Sequence, residues 1–184
     1  MKITKRVYRA IVALCAGVML LSCNNDTDTT LSSQQKSIET YLTGSHSPRL
    51  IEEYLVPDST EENPPFYTQW NLNIFRYIAT YYTEGREAWP VIEKGTTFDI
   101  MYTAYIFKSG KPSIADMYAT NIEKNIKELY KGYEEETNIW STEPMRITLG
   151  RDSLVGGLST ALEGCRIGDT VEVYLTYDAA YGKH

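Results

Sequence analysis

Hydrophobic and polar positions change period several times along the chain, and each change marks an expected element. Residues 10–21 are almost wholly apolar and follow Lys2, Lys5, Arg6 and Arg9. A basic stretch followed by a short apolar run has the layout of an export signal, and the run is too short to span a membrane comfortably. Residues 24–30, NNDTDTT, are polar and predict a tether. Ile38, Tyr41 and Leu42 within residues 33–42 predict a first helix, and residues 50–56 add an apolar patch before Pro57. Asp58, Glu61, Glu62, Pro64 and Pro65 make residues 57–65 a loop, and the domain boundary is expected there. Residues 23–65 then form a tether and small helical segment, and residues 66–184 the main domain.

Within that domain, residues 73–82 (NIFRYIATYY) are aromatic and β-branched and predict a strand. After a loop over residues 84–89, residues 97–107 (TFDIMYTAYIF) predict one long strand with Phe98, Ile100, Tyr102 and Ala104 on one face. Ser109-Gly110-Lys111 is the turn that follows. Thr120 and Glu123 fit a capping box, and Ile122, Ile126, Leu129, Tyr130 and Tyr133 recur at helical spacing. An amphipathic helix is therefore expected over residues 121–132, ending at Gly132. Residues 145–149 predict a strand that turns at Gly150 into a compact helix through Leu154-Val155-Gly156-Gly157. Val155, Leu158, Leu162 and Cys165 give that helix an apolar face, and Gly164 supplies a C-terminal stop. Ile167-Gly168-Asp169 makes a turn, residues 171–175 alternate as a half-buried strand, and residues 177–182 form a loop rich in aromatic rings.

Composition changes the picture in three ways. The residue after the apolar run, Cys23, resembles the lipidated cysteine of bacterial lipoproteins, which becomes the new N-terminus; the signal is then residues 1–22, the alternatives being an ordinary signal peptide or an uncleaved anchor. Losing its four basic residues moves the net charge from −6 to −10. An acidic surface argues against nucleic acid and against electrostatic adhesion to anionic lipid, so acylation at Cys23 is the expected membrane anchor, with a location in the cell envelope, at the outer membrane. Of the three cysteines, Cys165 alone stays in the body of the chain, where a core position is expected. His46 and His184 are far apart, and no metal cluster or Ser-His-Asp set is expected.

The ordered set in residues 144–182, an LG pair, a GG pair opening a short helix, IGD, an alternating strand and D-x-AYG, resembles the FKBP-type peptidyl-prolyl cis-trans isomerases, here in a lipoprotein form from a Gram-negative bacterium. The glycine, alternating strand and hairpin over residues 95–111 extend the resemblance to residues 72–182. It implies an α+β fold: a twisted antiparallel β-sheet wrapped on a short α-helix, lacking the last strand, because the sequence given stops soon after AYG. A shortened product, a fragment, or a replacement strand from the N-terminal segment would each account for that end.

The resemblance also implies a pocket. Tyr102, the Val155 backbone N–H and Tyr181 are the expected catalytic groups. Tyr118, Met145, Leu154 and Leu158 are the expected substrate-binding residues, and each has a plain reading as core. Two positions depart from the family. Ala119 stands where a carboxylate is usual, with Asp116 the nearest substitute, and Leu158 stands where the best-known members have Trp, so a weakened activity is expected. The helix over residues 121–132 either packs on the sheet or borders the pocket. Rotation about an X-Pro bond faces a barrier of roughly 18–20 kcal/mol from amide conjugation, and lowering it requires no nucleophile, metal or cofactor. The expected partners are proline-containing polypeptides, with no nucleic acid, and the protein is expected to be a monomer. The alternatives are a non-catalytic proline-peptide or chaperone-like module, or an inactive shortened product.

Overall fold

A computed structural model describes residues 25–52, 55, 58–61, 64–69, 73–131 and 141–182. The expected signal over residues 1–22, Cys23, Gly132, Tyr133 and His184 lie outside the described residues. In chain order come helix α1 (Asn25–Gly44), strands β1 (Tyr67–Gln69), β2 (Ile74–Ile78), β3 (Thr97–Ile100), β4 (Thr103–Tyr105) and β5 (Met117–Thr120), helix α2 (Glu123–Leu129), strand β6 (Met145–Thr148), helix α3 (Gly156–Leu162), strand β7 (Val171–Leu175) and helix α4 (Tyr177–Tyr181). The architecture is α+β, and the named strands pair antiparallel. Strand β2 is the centre of a three-stranded sheet ordered β1-β2-β7, while β3 pairs with β6 and β4 with β5. Strand β1 lies on the far edge of β2, so it does not supply a second neighbour for β7; among the described residues β2 is the strand paired with β7.

The register of β2 on β7 sorts side chains onto two faces. Ile74, Arg76 and Ile78 share a face with Leu175, Val173 and Val171, whereas Phe75 and Tyr77 share the other with Tyr174 and Glu172. Helix α3 packs against β2 and β7. The Arg76 guanidinium, on an almost fully buried side chain, donates to the carbonyls of Ala161 at 2.9 Å and Glu163 at 2.8 Å and bonds the Tyr67 hydroxyl. These are carbonyls at the helix C-terminus, where no intrahelical donor remains. On the opposite face Ile38, Tyr41 and Leu42 of α1 join Phe66, Phe75 and Tyr174 in one cluster. Burying each large apolar side chain there contributes about 1.5–3 kcal/mol. The boundary expected between residues 65 and 66 therefore does not separate two packing units.

A second cluster joins Ile78, Ile92, Phe98, Ile147, Leu149 and Cys165. Cys165 lies beyond the end of α3 but is wholly buried, its thiol donating to the Ala161 carbonyl at 3.4 Å. Burial pushes that thiol above its ordinary range, which suits a core residue.

Five expectations differ from the structure. The tether is helical from Asn25, because docking of the Ile38-Tyr41-Leu42 face stabilises a helix that then propagates toward its N-terminus. The strand over residues 73–82 is confined to β2, since Tyr81 and Thr83 donate to the carbonyls of Ile78 and Thr80 in turns. The long strand over residues 97–107 is broken into β3 and β4, because the buried Asn121 side chain accepts from the Tyr102 N–H at 2.7 Å and donates to the Ile100 carbonyl at 2.9 Å, taking the place of a ladder partner. The capping box does not form. Thr120 Oγ1 donates to the Tyr102 carbonyl and accepts from the Ile122 N–H, and α2 begins at Glu123 without a side-chain cap. The loop over residues 177–182 is mostly helical, with Thr176 accepting from the Ala179 N–H at its N-terminus and Gly182 in a positive-φ conformation at its end.

The IGD turn is fastened by Asp169, whose carboxylate accepts from Arg86 Nε at 2.7 Å and Nη2 at 2.6 Å, from Thr80 Oγ1 at 2.8 Å and from the Arg166 N–H at 2.7 Å. Burial alone would push this carboxyl up; the Arg86, Arg166 and Thr80 hydrogen bonds outweigh it and hold the group below the usual carboxylate range. A depressed folded pKa gives stability that is present above the unfolded value of about 3.9 and lost as pH falls through the folded value. Asp169→Asn is therefore expected to lower stability at pH 7 by on the order of 2 kcal/mol and to flatten its decline in acid. Urea midpoints for both proteins between neutral and acidic pH check this; parallel acid profiles would contradict it.

Candidate functional site

Three tyrosines from distant parts of the chain meet on one side of the molecule. Tyr102 sits at the break between β3 and β4 and is half-buried, its backbone N–H fixed by Asn121. Tyr118 projects from β5 and is 46% exposed, and Tyr181 ends α4 and is 53% exposed. The Tyr118 and Tyr181 phenols are close enough to act on each other, and Tyr102 acts on Tyr118 electrostatically. Burial first, then the neighbouring Tyr181 hydroxyl, pushes the Tyr118 phenol above its ordinary range. The Tyr118 hydroxyl is therefore a neutral donor and acceptor near neutral pH.

Helix α4 reaches this position because of Gly157. A Cβ at residue 157 would lie 2.7 Å from the Ala179 carbonyl oxygen and 2.9 Å from Leu175 Cδ2, so only glycine lets α4 rest on the first turn of α3. Tyr177 extends the aromatic surface, its ring centroid 5.2 Å from that of Tyr181.

The other expected residues occupy a neighbouring region. Met145 opens β6 opposite Ile100, and both pack with Leu154 against the second core cluster. Leu154 and Met145 are partly buried against that cluster, with part of each side chain still accessible. Val155 and Leu158 are half-buried at the start of α3. The Val155 carbonyl accepts from Leu158 at 2.8 Å, whereas among the described residues its own N–H has no hydrogen-bond acceptor. Helix α2 packs against β5, the strand that bears Tyr118, and against the 3-10 turn Ile114–Asp116, with Ile126 buried.

Asp116, the nearest carboxylate in sequence to Ala119, has partners of its own. Its carboxylate is held by Lys108 at 2.6 Å and by the Ser113 N–H and hydroxyl, and these partners keep it well below the usual carboxylate range. Ala119 itself faces Ala104 across the β4–β5 ladder. His46 lies inside the first cluster, its Nδ1 2.6 Å from the Pro48 carbonyl and its ring 4.8 Å from Phe66. Among the described residues no group of three or more His, Cys, Asp or Glu could hold a metal ion. Sequence reading missed Asn121, Thr176 and the close approach at Gly157. Thr176 was discoverable, because Thr followed by Asp178, two alanines and Gly182 has the residue types of a capped helical turn.

Gly157→Ala is expected to push α4 away from α3, lowering stability by about 1–3 kcal/mol and displacing Tyr181. Unfolding midpoints and aromatic NMR shifts of Tyr118 and Tyr181 test this; ring shifts identical to the parent protein would show that the close approach does not set the tyrosine's place.

A family model described as FKBP-type peptidyl-prolyl cis-trans isomerase matches residues 91–184, just over half of the chain. No curated protein and no solved structure matches it.

Proposed function

The chain belongs to the FKBP-type peptidyl-prolyl cis-trans isomerase family, and from that premise we propose that it accelerates rotation about X-Pro bonds in exported or envelope proteins while anchored to the outer membrane by acylation at Cys23. The observation that carries the site is the meeting of Tyr102, at the break between β3 and β4, with Tyr118 of β5 and Tyr181 of α4.

In this reading the proline ring lies among Tyr102, Tyr118, Met145, Leu154 and Leu158. The Val155 N–H donates to a substrate carbonyl, and the Tyr181 hydroxyl is the second donor. Twisting the amide breaks conjugation between nitrogen and carbonyl, so the twisted form is less dipolar than either planar form. A weakly polar pocket favours that form over the hydrated ground state. Neither a covalent bond nor a proton transfer is needed, which fits a site of aromatic rings and hydroxyls. Leu158 and Ala119 remove contacts that the family resemblance implies, and each decade of rate corresponds to only about 1.4 kcal/mol; a slow enzyme is therefore proposed. A second reading is favoured by the openness of Tyr118 and Tyr181: a module that binds proline-containing peptides without turning them over.

Exchange NMR on a short X-Pro peptide separates the two. Acceleration is expected, with Tyr181→Phe lowering kcat/KM by roughly fivefold, the value of one hydrogen bond of about 1 kcal/mol, and leaving the unfolding midpoint almost unchanged. Saturable peptide binding by folded protein with no acceleration would establish the binding module instead. The anchor rests on the basic stretch, the apolar run and Cys23, and among the described residues no helix is long and apolar enough to cross a membrane. Cys23→Ser is expected to move the protein from the membrane to the soluble fraction; retention in the membrane fraction would rule out acylation there.

A further inference from the structure

We propose that helix α1 is a strut that sets the separation of the two arms of the tyrosine site, with Gln34 and Ser37 as positioning residues. The proposal rests on the reading that Tyr118 and Tyr181 form the proline site. One arm is the β4–β5 hairpin, which carries Tyr118; the other is α4, which carries Tyr181. Neither arm is rigid by itself. A two-stranded ribbon is marginally stable alone, and α4 is a single helical turn of five residues.

Helix α1 touches both arms with one face. The Gln34 side-chain oxygen accepts from the Tyr177 N–H at 2.9 Å, which satisfies a donor at the start of α4 that has no partner within that helix. Ser37 Oγ donates to the Lys108 carbonyl at 3.4 Å, in the loop of the hairpin. The Tyr41 ring lies 5.6 Å from Phe107, which in turn lies 5.4 Å from Tyr174. Residues 34, 37 and 41 are spaced three and four apart, so they lie along one stripe of the helix. Beside them Ile38 and Leu42 fix α1 in the core. Gln34 and Ser37 are separated by roughly 4.5 Å of helix axis, a spacing that a packed helix holds constant. Residues 25–44 precede the segment matched by the family model.

The test compares the full chain with Gln34→Ala, the double substitution Gln34→Ala/Ser37→Ala, and Gln34→Glu, whose carboxylate still accepts from the Tyr177 N–H. Three readings are taken: kcat and KM for X-Pro exchange, aromatic NMR shifts of Tyr118 and Tyr181, and the unfolding midpoint. The double variant is expected to lose roughly tenfold in kcat/KM, a cost in keeping with misplacement far from the chemistry, with both rings shifted and the midpoint nearly unchanged. Gln34→Glu is expected to restore rate and shifts. Unaltered ring shifts in the double variant would overturn the proposal, whatever the rate does, and so would failure of Gln34→Glu to restore them. If the parent protein shows no isomerisation, the functional reading falls while the ring shifts still decide whether α1 spaces the arms.

Discussion

The placement of α3 depends on one buried guanidinium. Arg76 stands in the middle of β2, on an almost fully buried side chain, and reaches the last carbonyls of α3 at Ala161 and Glu163. A charge taken out of water this far is costly unless its protons are matched by acceptors. The C-terminus of a helix offers several, aligned with the favourable end of the helix dipole. The match serves both sides: the guanidinium is solvated by protein, and a seven-residue helix too short to persist alone is fixed at a set position on the sheet.

From that anchor the rest can be built outward. Because α3 is held by its C-terminus, its first turn, which carries Gly157, has a set position on the sheet. Because Gly157 has no side chain, α4 lies against that turn and carries Tyr181 with it. The strand that supplies Arg76 on one face supplies Phe75 and Tyr77 on the other, where α1 covers them. One five-residue strand therefore joins two clusters of core residues that would otherwise be separate, and both arms of the tyrosine site trace back to it.

The chemistry available at the site follows from how its groups are satisfied. Two carboxylates are held by other partners: Asp116 by Lys108 and Ser113, and Asp169, in the turn before β7, by Arg86, Thr80 and Arg166. Phenol hydroxyls and half-exposed aromatic faces are accessible at the tyrosines. Such a set can hold a peptide and bias the polarity around an amide. Burial and the neighbouring Tyr181 hold the Tyr118 phenol above its ordinary range, so it stays protonated at neutral pH.

The sequence by itself determined the elements whose signal is local. Strict alternation made residues 171–175 a strand, Met145–Thr148 pairs as its pattern implied, and the apolar spacing of Leu158 and Leu162 marked a helix ending before Gly164. The ordered motifs around them also carried the family resemblance. Only the tertiary structure decided the rest, because the deciding partner was far away in sequence. Residues 97–107 have an unbroken strand pattern, yet Asn121 enters the ladder at Tyr102 and splits it. Residues 24–30 have the composition of a tether, yet a helix docked through Ile38 and Leu42 extends back through Asn25. Arg76 looks like an interruption in an apolar strand until the carbonyls of α3, more than eighty residues later, are brought to it. Periodicity reports which face of a segment is buried; it carries no information about which distant group will supply the missing hydrogen bond, and that choice belongs to the packed chain.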